Sequence, residues 1–478
     1  MYSHADSHKR WWALAILCLG VLMIVLDTTI VNVALPSIRT DLHFTATSLV
    51  WVVNAYMLTF GGFLLLGGRL GDLYGHRRLF LAGLTLFTLA SLACGLAQSQ
   101  DVLIAARAVQ GIGGAVVSAV ALSLIMNLFT EPQERAKAMG VYGFVCAGGG
   151  SIGVLLGGLL TTQLNWHWIF LVNVPIGLIV FALCMWLIPA TKGHVPTRLD
   201  LGGAFTITTS LMLAVYAIVN GNEAGWASTQ TSGLLALAGG LMIAFLYIET
   251  HSSSPLMPLS MFKLRNVSTA NAVGVLWAAA MFAWFFISAL YMQLVLGFGA
   301  MEVGLAFLPS NIIMAAFSLG LSAKLVMRFG FRVPLGGGLA LAALGLAWFA
   351  RAPVHGGFWV DVMPGMTLLG LGAGIAFNPV LLAAMSDVKP EDAGVASGMV
   401  NTSFMMGGAL GLAVLASLAE ARTAASLAAG VASNVALNDG YRLAFGLGAV
   451  CALTAAGLGA WLLRDQPMPL DAPQVAGH

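Results

Sequence analysis

The chain has 478 residues, of which 59% are hydrophobic and only 8% charged, with a mean hydropathy of +0.91. Soluble domains carry about a quarter charged residues, so this chain cannot cover itself with polar surface and reads as an integral membrane protein. Its net charge of +2 is thinly spread, with no basic stripe or acidic tail, which excludes nucleic acid as a partner.

A helix needs about 20 mainly apolar residues to cross a bilayer. Cutting at charged, proline and glycine-rich breaks predicts spans over 11–33, 48–67, 79–97, 102–126, 137–162, 167–188, 202–220, 231–248, 269–293, 302–323, 334–351, 359–385, 394–419 and 443–463, fourteen in all. Lys9 and Arg10 before the first run resemble the start of a secretory signal. No small-residue cleavage pattern follows, so the run is read as a retained first span. With both termini inside, sixteen of the 21 Lys and Arg residues fall in inner segments. Arg39, Arg351, Arg422 and Arg442 fall outside and Arg107 within the bilayer, a positive-inside bias that a missed span would scramble.

The loop GRLGDLYGHRR (68–78) is echoed by AKLVMRFGFR (323–332), Leu70 matching Leu325, Gly75 matching Gly330 and Arg77 matching Arg332. Both would join a second helix to a third in two duplicated halves. The expected architecture is an all-α polytopic membrane protein: a six-helix bundle over 1–190, an inserted helix pair with cytoplasmic linkers over 191–265, and a second six-helix bundle with a short tail over 266–478.

Asp27, in VLMIVLDTTIVNVALP (21–36), is the acidic residue placed deepest in a span. Such a carboxylate costs several kcal/mol if charged and unpaired, and typically marks an ion or proton path. Arg107, in LIAARAVQGIGGA (103–115), is the matching base. At about 1.5 Å per residue, Asp27 lies roughly 9 Å and Arg107 roughly 8 Å from the outer ends of their helices, so the two share a level. The arginine favours the ionised acid and desolvation the neutral one; water reaching the site from alternate sides would shift that balance and load or release a proton. The plainer reading is a structural ion pair.

Asn32, Asn54, Tyr56 and Gln110 lie at similar depth and are candidates for substrate binding, or for hydrogen bonds between helices. Gly68, Asp72, Gly75 and Arg77 suit a tight cytoplasmic turn that latches helix ends together, although arginines there also set topology. Gly149, Gly153, Gly157 and Gly158 give span 5 a small-residue seam for a pivot or for close packing. The aromatic run WAAAMFAWFFISALYMQ (277–293), with Trp284 and Phe285, would line an apolar cavity or simply pack. Five cysteines fall in apolar runs without paired spacing, and the nine histidines fall at termini or loops. No phosphate-binding glycine loop or His-Glu metal pattern occurs, so no enzyme, cofactor or metal is expected.

These residues resemble the major facilitator superfamily, and within it the fourteen-span drug:proton antiporters. LDTTIVNVALP (26–36) is similar to that branch's first-helix motif, with Asp27 at the acidic position. GRLGDLYGHRR is similar to the superfamily's loop motif, RAVQGIGG to its helix 4 motif through Arg107, Gln110 and Gly111, and the span 5 glycines to the antiporter motif. Val154 stands where that motif has proline, His167 where arginine is usual, and Phe404 and Met405 where arginine and glutamine are common. The resemblance implies two bundles working by alternating access. It implies a monomer in the bacterial inner (plasma) membrane, exporting lipophilic, often cationic compounds in exchange for protons. Asp27 would carry the proton and Arg107 tune it, Asp72 and Arg77 would latch the inside-closed state, and span 5 would be the pivot. The rivals are a dedicated exporter of one metabolite, such as an antibiotic or siderophore, and a non-transporting membrane sensor.

Overall fold

The computed structural model describes residues 5–129, 131–188, 200–252, 255–388 and 393–464. Helices joined by short turns account for them, and no strand occurs among the described residues. In a bilayer every backbone N–H and C=O must be paired within its own segment, and for apolar runs of this length the helix does so. The long helices are α1 (Ala5–Asp41), α2 (Trp51–Tyr74), α3 (His76–Gly95), α4 (Gln100–Leu128), α5 (Pro132–Gln163), α6 (Asn173–Leu187) and α7 (Leu201–Ala224). They continue with α8 (Thr229–His251), α9 (Arg265–Leu290), α10 (Ala300–Ala316), α11 (Arg332–Phe349), α12 (Met363–Ser386), α13 (Ala393–Ala428) and α14 (Ser433–Leu462). Twelve described stretches are long and apolar enough to cross a membrane, and Ala300–Ala316 is a shorter apolar helix.

Local chemistry sets several ends. Ser99 caps α4 by accepting from the Val102 N–H at 3.4 Å, and Ser228 caps α8 by accepting from the Thr231 N–H at 3.2 Å. Gly75 separates α2 from α3 at φ +89°, a conformation that side chains other than glycine's resist. Two predicted spans are divided. Residues 167–188 break at Val172 into a single turn, Trp168–Leu171, and α6. Pro175 lacks the N–H that a helix interior needs, which suits it to the first turn of α6. Residues 302–323 pass from α10 through a π turn at Phe317–Leu321 into a short helix, Ser322–Phe329.

The packing repeats. α1 lies against α5 and α6, α2 against α4, and α3 against α4 and α6. In the same order α9 lies against α13 and α14, α10 against α12, and α11 against α12 and α14. The two sets meet where α5 packs on α10 and α2 on α13, while α7 and α8 pair together and α7 covers the α2–α13 seam. The loop echo recurs in geometry. Gly330 adopts φ +73°, and Arg332 Nη2 donates to the Ala460 carbonyl of α14 at 2.6 Å, as Arg77 Nη2 donates to the Met185 carbonyl of α6 at 2.6 Å. Outside the packed interior, Trp186, Trp461 and Trp359 are exposed near helix ends, as expected of aromatic side chains at a membrane–water boundary. The described cysteines form no disulfide; the side chain of Cys146 lies outside the described residues.

Candidate functional site

α4 approaches α2 so closely at Gly111 that a Cβ there would lie 2.4 Å from the Tyr56 carbonyl oxygen. This contact brings the α2 backbone and the Tyr56 ring to Arg107, one turn earlier on α4. Arg107 and Gln110 are three residues apart and share a face, which they turn toward Asp27 on α1.

Asp27 is fully buried and Arg107 is 1% exposed. Arg107 Nη1 donates to Asp27 Oδ2 at 2.5 Å and to Gln110 Oε1 at 2.6 Å, and its Nε donates to the Val52 carbonyl at 2.8 Å. The guanidinium also lies 4.5 Å from the ring centre of Tyr56 and 5.5 Å from that of Phe170, within cation–π range. Gln110 Nε2 donates to Asp27 Oδ1 at 2.7 Å and to Ser91 Oγ at 2.8 Å, while Asn173 Nδ2 from α6 reaches the same Oδ1 at 3.0 Å. Three N–H donors thus converge on the two carboxyl oxygens. That arrangement suits the ionised acid, which accepts and does not donate.

Two of the six residues proposed above for substrate binding, Tyr56 and Gln110, stand in this network. Asn32 bonds back to the Thr28 carbonyl at 3.3 Å, and Asn54 Nδ2 crosses to the Ala409 carbonyl of α13 at 2.9 Å. Trp284 meets the Phe307 ring of α10 edge-on and Phe285 stacks on it, with ring centres 5.9 and 5.5 Å away. A separate apolar cleft between α9, α12 and α13 is lined by Trp277, Phe377, Asn401 and Phe404. Phe404 sits 5.8 Å from Phe282 and 6.2 Å from Phe377, ring centre to ring centre. Trp277, which opens the aromatic run expected to line an apolar cavity, and Phe404, which departs from the family motif, both border that cleft; neither Ser91 nor Asn173 was singled out from the sequence. Asn173 had a signal: it interrupts the apolar run IFLVNVPIG as Asp27 interrupts its own.

Of the turn residues, Gly68 faces Ala119 on α4, and Arg77 binds the end of α6 in its own set of helices. The side chain of Asp72 lies outside the described residues. The α5 glycines divide between two neighbours. Cβ atoms at Gly149, Gly153 and Gly157 would lie 2.9 Å from Val25 Cγ1, 2.0 Å from Thr29 Oγ1 and 2.7 Å from the Ile30 carbonyl, all on α1, whereas one at Gly158 would lie 2.8 Å from the Ala300 carbonyl of α10. Gly153→Leu is therefore expected to cost about 1–3 kcal/mol through overpacking. Gly148→Leu, five residues earlier on another face of the helix and with nothing within 4 Å, should stay within about 0.5 kcal/mol of wild type. Thermal unfolding in detergent measures both, and equal losses would mean that the α1 face is not the constraint.

The sequence profile of the Major Facilitator Superfamily matches residues 17–412. The chain is 38% identical over 465 residues to the puromycin resistance protein of Streptomyces alboniger, covering 96% of this chain and 92% of that one. It is 40% identical over 420 residues to the cephamycin export protein of Amycolatopsis lactamdurans, covering 87% and 86% of the two chains. Similarity to the multidrug resistance protein Stp of Mycobacterium tuberculosis is 37% identity over 411 residues, covering 86% and 76%. With its apolar helices and near full-length relatives that are exporters and resistance proteins rather than enzymes, this multi-pass membrane chain belongs to the major facilitator superfamily.

Proposed function

We propose that the chain is a proton-coupled exporter of lipophilic, often cationic compounds, built from fourteen membrane helices. α1–α6 and α9–α14 form two six-helix bundles over 1–190 and 266–478, α7 and α8 form an inserted pair over 191–265, and the chain acts as a monomer. Repetition of the helix pairings in the two sets supports the bundle reading, and the basic residues favour cytoplasmic termini in a bacterial inner membrane. Related proteins named for puromycin resistance, cephamycin export and multidrug resistance support small toxic molecules as cargo.

One observation carries the coupling. A carboxylate with no exposed surface is held by an arginine and two amides from α4 and α6. A shift of α1 against α4 or α6 within the first bundle, accompanying the rocking of the two bundles, would withdraw donors from Asp27, admit water from one side and let the acid take a proton. Arg107 would remain tethered through the Val52 carbonyl, Gln110 and the Tyr56 ring, so its charge stays ready for the returning carboxylate. The α5 glycines, facing α1 on one side and α10 on the other, suit a pivot. The Phe404 cleft, with aromatic walls, suits an apolar ring system.

Export of a single compound is the second reading, favoured by the relatives named for puromycin and cephamycin. Efflux from reconstituted vesicles under an imposed pH gradient, run with a panel of unrelated cationic dyes, decides between them. Several dyes should leave, each stopping when the gradient is collapsed. Movement of one compound alone selects the dedicated exporter, and no substrate-linked proton movement at all removes both.

A further inference from the structure

Asp200 and Glu249 form a second buried acidic pair, at the end of the molecule that also carries Arg69 and Arg77. Asp200 precedes α7 and is 7% exposed; Glu249, in the last turn of α8, is 3% exposed. Each carboxyl uses one oxygen locally. Asp200 Oδ1 accepts from the Gly203 N–H at 2.7 Å, capping α7, and Glu249 Oε2 accepts from the Met257 N–H at 3.1 Å. The other two oxygens, Asp200 Oδ2 and Glu249 Oε1, are buried without a hydrogen-bond partner among the described residues. Both face Gly203: a Cβ there would lie 2.9 Å from each, which puts the two oxygens no more than twice that distance apart.

Two ionised carboxylates facing one another out of water repel, and each leaves a charged acceptor unanswered. The charged groups that act on Glu249 are Asp200 and the Arg69 guanidinium of α2. Arg69 Nη2 donates to the Pro255 carbonyl at 2.5 Å, so it holds the same loop that Glu249 grips through Met257. A single proton placed between them would answer both orphan oxygens at once, the O–H of one acid donating to the free oxygen of the other. It also leaves the pair with one negative charge, which Arg69 balances.

We propose that Asp200 and Glu249 share one proton, making a second proton-binding site that clamps loop 255–257 onto α2 and α7. In that loop Leu256 is buried against Leu66 of α2 and Ala204 of α7, and Met257 packs on Ile207 and Met406. The loop therefore sits over the α2–α13 seam and leads into α9. Loss of the proton to water breaks the shared O–H, leaves two carboxylates where one was, and drives α8 and its loop away from α7. This site gives the α7–α8 pair a function of its own and does not depend on the exporter reading or on Asp27.

Infrared difference spectra across a pH titration test the site in the full-length protein in lipid. Wild type should show a protonated-carboxyl band that disappears as pH rises. Glu249→Gln and Asp200→Asn should each remove the band, and Asp27→Asn should leave it in place. Hydrogen exchange provides a second readout: after correction for intrinsic rates, the Leu256 and Met257 amides should exchange about tenfold faster at about pH 9 than at about pH 6 in wild type. In Glu249→Gln, whose amide N–H donates to Asp200 at every pH, that dependence should vanish. A band that survives both pair substitutions, or loop exchange with the same pH dependence in Glu249→Gln as in wild type, overturns the proposal.

Discussion

Asp27→Asn is expected to lower pH-gradient-driven efflux by on the order of 100-fold, the scale at which a positioned proton-transfer group acts. Substrate binding should survive. Asparagine preserves the volume and one acceptor oxygen, so Gln110 or Asn173 can still be answered, and the helices around α1 keep their packing. On the proposed mechanism, what disappears is the step in which this network would exchange a proton with water. The expected signature is therefore selective: vesicles with the variant bind dye and support dye exchange down a dye gradient, yet accumulate nothing against it when a pH gradient is imposed. A variant with unaltered gradient dependence would remove Asp27 from the mechanism and leave the fold as it stands.

How much of this could be read in advance depends on how far a residue stands out from its surroundings. Asp27 and Arg107 stood out because charge is rare in apolar runs, and their matched depths followed from helical rise alone. Ser91 did not, because neutral polar residues are ordinary in membrane helices, and the break that Asn173 makes in its apolar run does not say where it lies: only the packing of α6 and α3 against α1 and α4 brings the two to the site. Glu249 was lost for a different reason. The predicted eighth span stops at residue 248 because a charge follows it, whereas α8 runs on to His251 and buries the acid. Ending a helix at a charge is sound only where that charge reaches water, and burial is a property of the neighbours. The spacing of four among the α5 glycines marked a common face, which α1 occupies; that Gly158 turns to α10 depends on how the two sets of helices meet, a long-range arrangement on which local sequence is silent.

Arg107→Ala should be the most destabilising single change at the site, by about 3–5 kcal/mol, since it strands a fully buried carboxylate. The loss has three parts. The hydrogen bond to Asp27 goes, the Val52 carbonyl and Gln110 Oε1 lose their donor, and the space between the Tyr56 and Phe170 rings is left unfilled. Lysine repairs only the charge: a single ammonium cannot present the planar fork that reaches Asp27, Gln110 and the α2 backbone together, so Arg107→Lys should fall between wild type and alanine. Asp27→Asn alone should cost less than Arg107→Ala, because it removes the charge that most needs an answer. It follows that the double variant, Asp27→Asn with Arg107→Ala, should be more stable than the sum of the single losses predicts, by about 1–3 kcal/mol of coupling. Unfolding measured in detergent micelles for the four proteins of that cycle gives the number directly. Additive losses would mean that the pair does not act as a unit, and the tether that keeps Arg107 poised for the returning carboxylate would lose its basis.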